Sequence, residues 1–430
     1  MNINLSVECE TCGDPTNCRI GMSNREEQPF RFCCQTCGSP IDIIIRESRG
    51  GEFHGAKQLL PDLYPFDDKT NFVDLHLDFP VAFGKYVVGK TPFMEAAQRI
   101  GYEELKLHGF RLAYLTEEAT PKLRVFTLLL KLFRNGKWAP FKTSCSRNFD
   151  VDVKSDAPQD RAAALYKVIS KVMMPFAFPG QDAEASHLST STMHQVTNEH
   201  PAAIRAFMAE IIGNDFLRNL QNSCLDIYPK ILEAELPLRP VLFLDFDVQF
   251  ANNPIPLRIS NEAFESYKDL YKDISEIVSR QFVLVAGINN LLKRGGHNAF
   301  EPGIGQTKGG KDFTPKSLHD FSDVAFGKKL GFIDDSWFEP LEDGADNQLR
   351  NAIAHVKTDY DEVNQVITYY PRLEGMNQAK PEQMTFIQFM RRLLQTYREM
   401  RRLNHLIKGL FYLQYLVIDR DKPATDAAKS

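Results

Sequence analysis

Long apolar runs are missing from this chain of 430 residues. The strongest, Leu128-Leu129-Leu130, is cut at once by Lys131, far short of the ~18 residues that a membrane span needs. Met1 to Val7 hold neither a basic stretch nor an apolar core, so no secretory signal is expected. The expectation is a cytoplasmic protein with no membrane partner. An excess of one charge is missing too: 51 Lys and Arg stand against 56 Asp and Glu, a net charge of −5. Such a balance gives no general attraction to nucleic acid, so any contact with a phosphate backbone has to come from local patches. What remains is ordinary for globular domains, 43% apolar and 25% charged, at a length of about three typical domains.

Cysteine is scarce except at one end. Six of the eight cysteines lie in the first forty residues. Cys9-Glu10-Thr11-Cys12-Gly13 and Cys34-Gln35-Thr36-Cys37-Gly38 are near-identical C-x-x-C-G turns, with twenty-one residues between Cys12 and Cys34. Each turn lets two thiolates reach one ion, and the glycine lets the backbone fold beneath it. Two such turns complete a four-cysteine zinc site of ribbon type, with Cys9, Cys12, Cys34 and Cys37 as ligands. Cys18 and Cys33 are near enough to replace one of the four. Four thiolates leave no open coordination position, so the zinc is expected to be structural, taking the place of a hydrophobic core. A disulfide framework fits poorly where no secretory signal exists. Cys145 and Cys224 read as small buried hydrophobes.

Further along, Arg350-Asn351-Ala352-Ile353-Ala354-His355 places an arginine and a histidine five apart. On a helix they stand about 140° apart, so both can border one cleft. Phosphodiester cleavage needs a fixed cation for the phosphate and an imidazole that titrates near neutrality. A long amphipathic segment, Glu262 to Leu292, and a shorter helical one, Lys316 to Lys329, precede this stretch. Tyr360 to Pro371 reads as a short hairpin or extended link, and a second long helix is expected from Pro381 to Val417.

The R-N-x-x-x-H pattern in this helical order resembles the signature of the HEPN superfamily, whose active members are metal-independent ribonucleases. The resemblance implies a helical bundle over 259–420 that pairs with a second copy. The fold expected for the whole is multidomain and mainly α: a zinc ribbon at 1–50, a mixed α+β middle region at 52–258, serving as sensor or regulatory domain, and the bundle. It also implies roles. His355 would move the proton, Arg350 would bind the phosphate oxygens, and Asn351 would orient either. Cleavage would leave a 2′,3′-cyclic phosphate and a 5′-hydroxyl, with no metal in the chemistry. Such a chain looks like a phage-defence, abortive-infection or toxin effector awaiting a phage-derived or protein trigger. The alternative is a non-catalytic RNA-binding or assembly adaptor on the same bundle.

Basic residues near the motif offer an RNA contact. Arg391, Arg398 and Arg402 are expected on the face of the last helix opposite Phe386, Phe389, Leu393, Tyr397, Met400 and Leu403, with Arg392 and Arg401 flanking. Lys308 and Lys311 sit in a Gly/Lys-rich loop. That loop matches G-x-x-x-x-G-K, but Asp312 stands where a P-loop has Ser or Thr, so a nucleotide site is not expected. Leu242 to Asp247 reads as an apolar strand ending in D-x-D, with the two aspartates salt-bridged or capping rather than catalytic. Gly180 to Thr197, rich in Ser, Thr, Asp and His, reads as an exposed connection.

Overall fold

The computed structural model describes residues 2–46, 50–59, 66–82, 84–178, 180–247, 249–250, 256–261, 264–306, 312–334, 337–341, 347–354, 357–370 and 380–420. The chain opens on strands β1 (Asn2–Cys9), β2 (Pro15–Gly21), β3 (Glu27–Cys33), β4 (Pro40–Arg46), β5 (Gly50–His54), β6 (Ala56–Gln58) and β7 (Asn71–Leu75). Helices α1 (Pro92–Ile100), α2 (Tyr102–Tyr114), α3 (Leu123–Arg134), α4 (Trp138–Phe149) and α5 (Pro158–Val172) follow. Next come α6 (Gln181–Glu199), α7 (Pro201–Gly213), α8 (Phe216–Glu233), α9 (Glu235–Phe243) and the long α10 (Lys268–Arg294). Short pieces lead on: β8 (Gly305–Gln306), β9 (Asp312–Phe313), α11 (Leu318–Ser322), α12 (Phe326–Lys329) and α13 (Asn347–Ala354). Strands β10 (Thr358–Asp361), β11 (Val366–Tyr369) and β12 (Glu382–Thr385) precede the closing helix α14 (Phe386–Leu413). The fold is mostly helical, with sheets and a four-cysteine cluster near the N-terminus.

Two compact units share the chain. One comprises Met1–Pro121, Ile231–Asp269 and Asn351–Leu394, the other Lys122–Lys230, Leu270–Arg350 and Gln395–Ser430. In the first, one sheet has the order β6-β1-β2-β7 and a second the order β3-β4-β5. Strand β4 shows why they form: Ile41, Ile43 and Ile45 are buried in alternation with Asp42, Ile44 and Arg46. Leu5, Val7, Ile20, Val73 and Leu75 of one sheet meet Phe30, Phe32 and the β4 isoleucines of the other in a single apolar core. The N-terminal module therefore has a hydrophobic core of its own, and the expectation that metal stands in for one is corrected.

Charge is buried in this unit as well. Arg239 on α9 has no exposure; its guanidinium donates to Asp78 at 2.7 Å, Glu235 at 3.2 Å, the Thr116 hydroxyl at 3.2 Å and the Ser23 hydroxyl at 3.3 Å, and also to Asn24. Gln365, between β10 and β11, brackets the backbone of Ile259: its Oε1 accepts from Ile259 N at 3.0 Å and its Nε2 donates to the carbonyl at 2.7 Å.

In the second unit α10 is the central element, buried at every position from Phe282 to Leu291. Helix α7 crosses it where Gly287 stands; a Cβ there would lie 2.6 Å from a ring carbon of Phe207, so only glycine admits the contact. Gln281 of α10 donates to the Met400 carbonyl of α14 at 3.0 Å.

Two local expectations are corrected. Residues 181–199 form α6, not a connection. Their buried stripe, Ala185, Ser189, Thr192, Met193 and Val196, has helical spacing but is made partly of small polar residues. Their hydroxyl neighbours Thr190 and Thr197 bond the carbonyls four residues back, at 2.7 and 2.6 Å, so the helix bears a composition typical of loops. Leu242 and Phe243 end helix α9 rather than forming a strand. That helix is buried on almost every side, so it lacks the periodicity that distinguishes the two. The reading of its aspartates as salt-bridged holds: Asp245 pairs with Arg111 at 2.8 Å and Asp247 with Arg99.

Two buried imidazoles make this unit sensitive to acid. Burial pushes His76 and His108 each down to about 4 from 6.5. The unfolded chain then binds the extra protons between pH 6.5 and 4, so their contribution is intact above that window and is lost as pH falls through it. The expected loss by pH 4 is on the order of 3 kcal/mol per histidine. Denaturant titrations across this range check it. His108→Gln, which keeps an N–H for the Asp78 carbonyl but cannot titrate, should flatten the slope by about half; an unchanged slope would exclude His108 as a source.

Candidate functional site

Each cysteine pair sits in the loop of a hairpin. The β1–β2 loop is Cys9-Glu10-Thr11-Cys12-Gly13-Asp14 and the β3–β4 loop is Cys34-Gln35-Thr36-Cys37-Gly38-Ser39. Their backbones are closed by the same two bonds. Cys9 N donates to the Asp14 carbonyl at 3.1 Å, as Cys34 N does to Ser39 at 2.9 Å. Gly13 N donates to the Cys9 carbonyl at 2.9 Å, as Gly38 N does to Cys34 at 2.9 Å. Both glycines take the left-handed conformation, φ 77° and 76°, which other residues adopt only with strain. Thr36 of one loop donates to Asp14 of the other, tying them together.

The four thiols converge. All four sulfurs lie within 4.8 Å of one another, with Cys9–Cys37 at 3.7 Å and Cys12–Cys34 at 3.6 Å. A tetrahedral site with bonds of about 2.3 Å needs sulfurs about 3.8 Å apart. The cluster therefore fits a metal ion. Cys18 and Cys33 are not part of it. Cys18 is buried in β2, its thiol 3.8 Å from the Thr16 carbonyl, and Cys33 is 3.7 Å from Glu362. Burial pushes the Cys33 thiol up to about 11, with Glu362 adding to the effect.

Electrostatics within the cluster also favour a cation. Hydrogen bonds from the Ser39 side chain and backbone pull Cys37 down to about 6. Cys12 is pushed up to about 12: the backbone bond at Asp14 works the other way, but burial and the neighbouring thiols outweigh it. Thiols this close resist ionising together, and a dication at their centre removes that resistance by displacing protons.

The R-N-x-x-x-H stretch is described only in part. Arg350 and Asn351 are consecutive on α13 and both are half-buried, beside Leu349, Ala352 and Ile353, which are buried. Arg350 pairs with Glu276 of α10. His355, Lys308 and Lys311 lie outside the described residues.

The arginines of α14 do not share an open face, which corrects their expected arrangement. Arg398 is 1% exposed, and its Nε donates to the Phe176 carbonyl at 2.9 Å. Arg402 pairs with Glu399 at 3.0 Å and its guanidinium lies 4.9 Å from the Phe338 ring centroid. Arg391 donates to the Leu244 carbonyl at 3.3 Å and covers the Phe250 ring at 4.5 Å. Guanidinium groups bind carbonyls and aromatic faces as readily as phosphate, so an arginine-rich helix need not be a basic surface. Sequence reasoning also passes over a polar stripe on α14: Arg401, Asn404, His405 and Lys408, which line a cleft with residues of α5, α6 and α8. Its signal was the i, i+3, i+4, i+7 spacing of these four polar residues along the helix.

Metal analysis should find one ion per chain at the four-cysteine cluster. Cys34→Ser should lose it, whereas Cys18→Ala and Cys33→Ala should retain it. Because the module has its own core, chelation should lower the melting temperature by on the order of 10 °C while far-ultraviolet dichroism keeps its β signal. Retention of the ion in Cys34→Ser would refute the ligand assignment, and collapse of the β signal on chelation would refute the independent core.

No protein-family model, no curated protein and no solved structure matches the chain.

Proposed function

We propose that this protein is a metal-independent RNA endonuclease of HEPN type, acting as a phage-defence or toxin effector, with Zn²⁺ as the structural ion of its four-cysteine cluster. One observation carries the nuclease reading: α13 bears Arg350 and Asn351 at consecutive positions, five and four residues before His355, in a stretch that falls between the long helices α10 and α14 along the chain. Zinc follows from the donor set, since four thiolates at tetrahedral spacing suit a borderline-soft ion without redox chemistry. With all four positions taken by sulfur, that ion holds the loops and has no place for substrate.

In the proposed reaction the ribose 2′-oxygen attacks phosphorus, the P–O2′ bond forms, and the P–O5′ bond breaks. The 2′-hydroxyl gives up a proton and the leaving 5′-oxygen gains one. His355 serves one of these transfers, and His355 of a second copy of the chain serves the other. Arg350 binds the non-bridging oxygens as charge builds on them, released for this from Glu276. Asn351 orients the imidazole or the phosphate, and Lys308 and Lys311 meet the RNA backbone. The products are a 2′,3′-cyclic phosphate and a 5′-hydroxyl.

The Arg350–Glu276 pair favours a second reading. An arginine held to α10 also suits a structural role, in which the bundle serves as an RNA-binding or assembly adaptor. Turnover separates the two. Inducible expression with sequencing of 5′-hydroxyl RNA ends should show new ends with the wild type and none with Arg350→Ala or His355→Ala, at melting temperatures within about 2 °C of wild type. RNA binding without new ends would select the adaptor.

The two proton transfers imply a homodimer. Arg350→Ala and His355→Ala chains, each inactive, should regain partial activity when mixed, because one cleft then holds a surviving arginine and histidine from different copies. A protein that stays monomeric by light scattering with RNA, and cleaves without loss of rate on dilution, would exclude the arrangement.

A further inference from the structure

A cleft of about 100 Å³ lies in the second compact unit and shares no residue with the cysteine cluster. Four helices supply its walls: Tyr166, Ile169 and Ser170 from α5, Asp182 from the first turn of α6, Tyr228 from α8, and Arg401, Asn404, His405 and Lys408 from α14. Its charges do not cancel. Arg401 is nearly buried and fully engaged, donating to both oxygens of Asp182 from 2.8 Å, to the Met173 carbonyl at 3.3 Å and to the Tyr397 hydroxyl at 3.3 Å. Burial pushes Asp182 up, but the bonds from Arg401 and His405 outweigh it and hold the carboxylate below its ordinary range. That pair is neutral as a whole. Lys408 remains, half-buried beside the Tyr166 ring, with no carboxylate within salt-bridge distance among the described residues.

The hydrogen-bonding groups are also unbalanced. Tyr166 accepts from Gln221 at 2.8 Å and Tyr228 accepts from Asn404 at 2.6 Å, which leaves each phenol a proton to donate. Burial raises both phenols, so those protons stay in place. One acceptor answers them. Asn404 is 3% exposed, and its Oδ1, committed to no partner, needs a donor. His405 Nδ1 is likewise buried without a partner, while its Nε2 lies 3.4 Å from Asp182. Buried polar atoms are usually paired, and two unpaired ones on adjacent residues of one cleft point to a ligand that reaches into it.

The occupant must be an anion, to meet Lys408 and the two phenols. It must also carry a proton, to meet Asn404 Oδ1. Carboxylate, chloride and sulfate have no such proton near neutrality. A neutral polyol has the protons but offers the lysine no charge. We propose that this cleft binds a protonated phosphate group, either inorganic phosphate, which keeps a P–OH at neutral pH, or the terminal group of a phosphomonoester taken up as its monoanion. The phosphate oxygens take the Lys408 ammonium and the tyrosine hydroxyls, and the P–OH donates to Asn404. The Arg401–Asp182 pair fixes the stripe on α14 and keeps the carboxylate from opposing the anion.

Isothermal titration of the full-length protein at pH 7, in a buffer free of oxyanions, tests this with inorganic phosphate, sulfate and a nucleoside 5′-monophosphate. Phosphate should bind saturably, and sulfate at least ten-fold more weakly. Lys408→Met should lose at least ten-fold in phosphate affinity with its unliganded melting temperature unchanged. Tighter binding of the monophosphate than of phosphate would identify the source as a phosphomonoester, and weaker binding would identify the free ion. Equal binding of phosphate and sulfate, no saturable phosphate binding at millimolar concentration, or full affinity in Lys408→Met each overturns the proposal. Should Lys408→Met fail to fold, the contrast between phosphate and sulfate on the wild type decides alone. None of these readouts depends on RNA cleavage.

Discussion

Arg239 has no contact with solvent, and a buried guanidinium is tolerable only if its donors find acceptors. In the first compact unit those acceptors come from four places in the chain: Ser23 and Asn24 after β2, Asp78 after β7, Thr116 after α2, and Glu235 at the start of its own helix. Burial alone would drive Asp78 upward, but the charge of Arg239 holds it below its ordinary range. Removal of either partner leaves an uncompensated charge in the interior, a change that costs about 3–5 kcal/mol. This one contact therefore joins segments distant in sequence. The sheets of the cysteine module are built into the unit through it, rather than attached as a separate bead.

That setting alters what the cysteine cluster has to do. In a zinc module without a core, binding the ion and folding are one event. Here leucine, isoleucine, valine and phenylalanine from two sheets already supply a core, and the hairpins are closed by their own backbone bonds. A metal ion held by the four thiolates would have the remaining task of binding one hairpin tip to the other. Shared thiolates do this more rigidly than the Thr36–Asp14 hydrogen bond can.

The four-cysteine cluster was the most legible part of the sequence, because its chemistry is local. A C-x-x-C-G turn states its ligands, its left-handed glycine and its partner turn within a few residues. What sequence could not decide was the competition from Cys18 and Cys33. Strand register decides it, since Cys18 opposes Leu5 in the β1–β2 pair and Cys33 opposes Pro40 in the β3–β4 pair, both outside the loops. Helices with strong apolar spacing were equally legible, as with the long α10 and α14. The missed elements share a cause. Helix α6 buries serine and threonine, and α9 is apolar nearly all round, so neither shows an amphipathic period. The arginines of α14 misled for a related reason. Charge in sequence implies solvent only when no carbonyl, carboxylate or ring lies within reach, and that depends on segments hundreds of residues away, such as Phe176 for Arg398.

Helix α14 shows how the interior separates structural from functional polarity. Arg398 and Arg401 are buried with partners for their donors, so they act as struts. Asn404 and His405 differ: each spends one polar atom on a neighbour and leaves the other unmet. A fold selected for stability alone would fill those two positions with apolar side chains, since an unsatisfied buried polar atom costs about 1–3 kcal/mol. In this cleft the deficit falls on two adjacent residues, beside a lysine with no carboxylate within salt-bridge distance among the described residues. Such a pattern is what a site looks like before its ligand arrives, with the protein's missing partners supplied from outside.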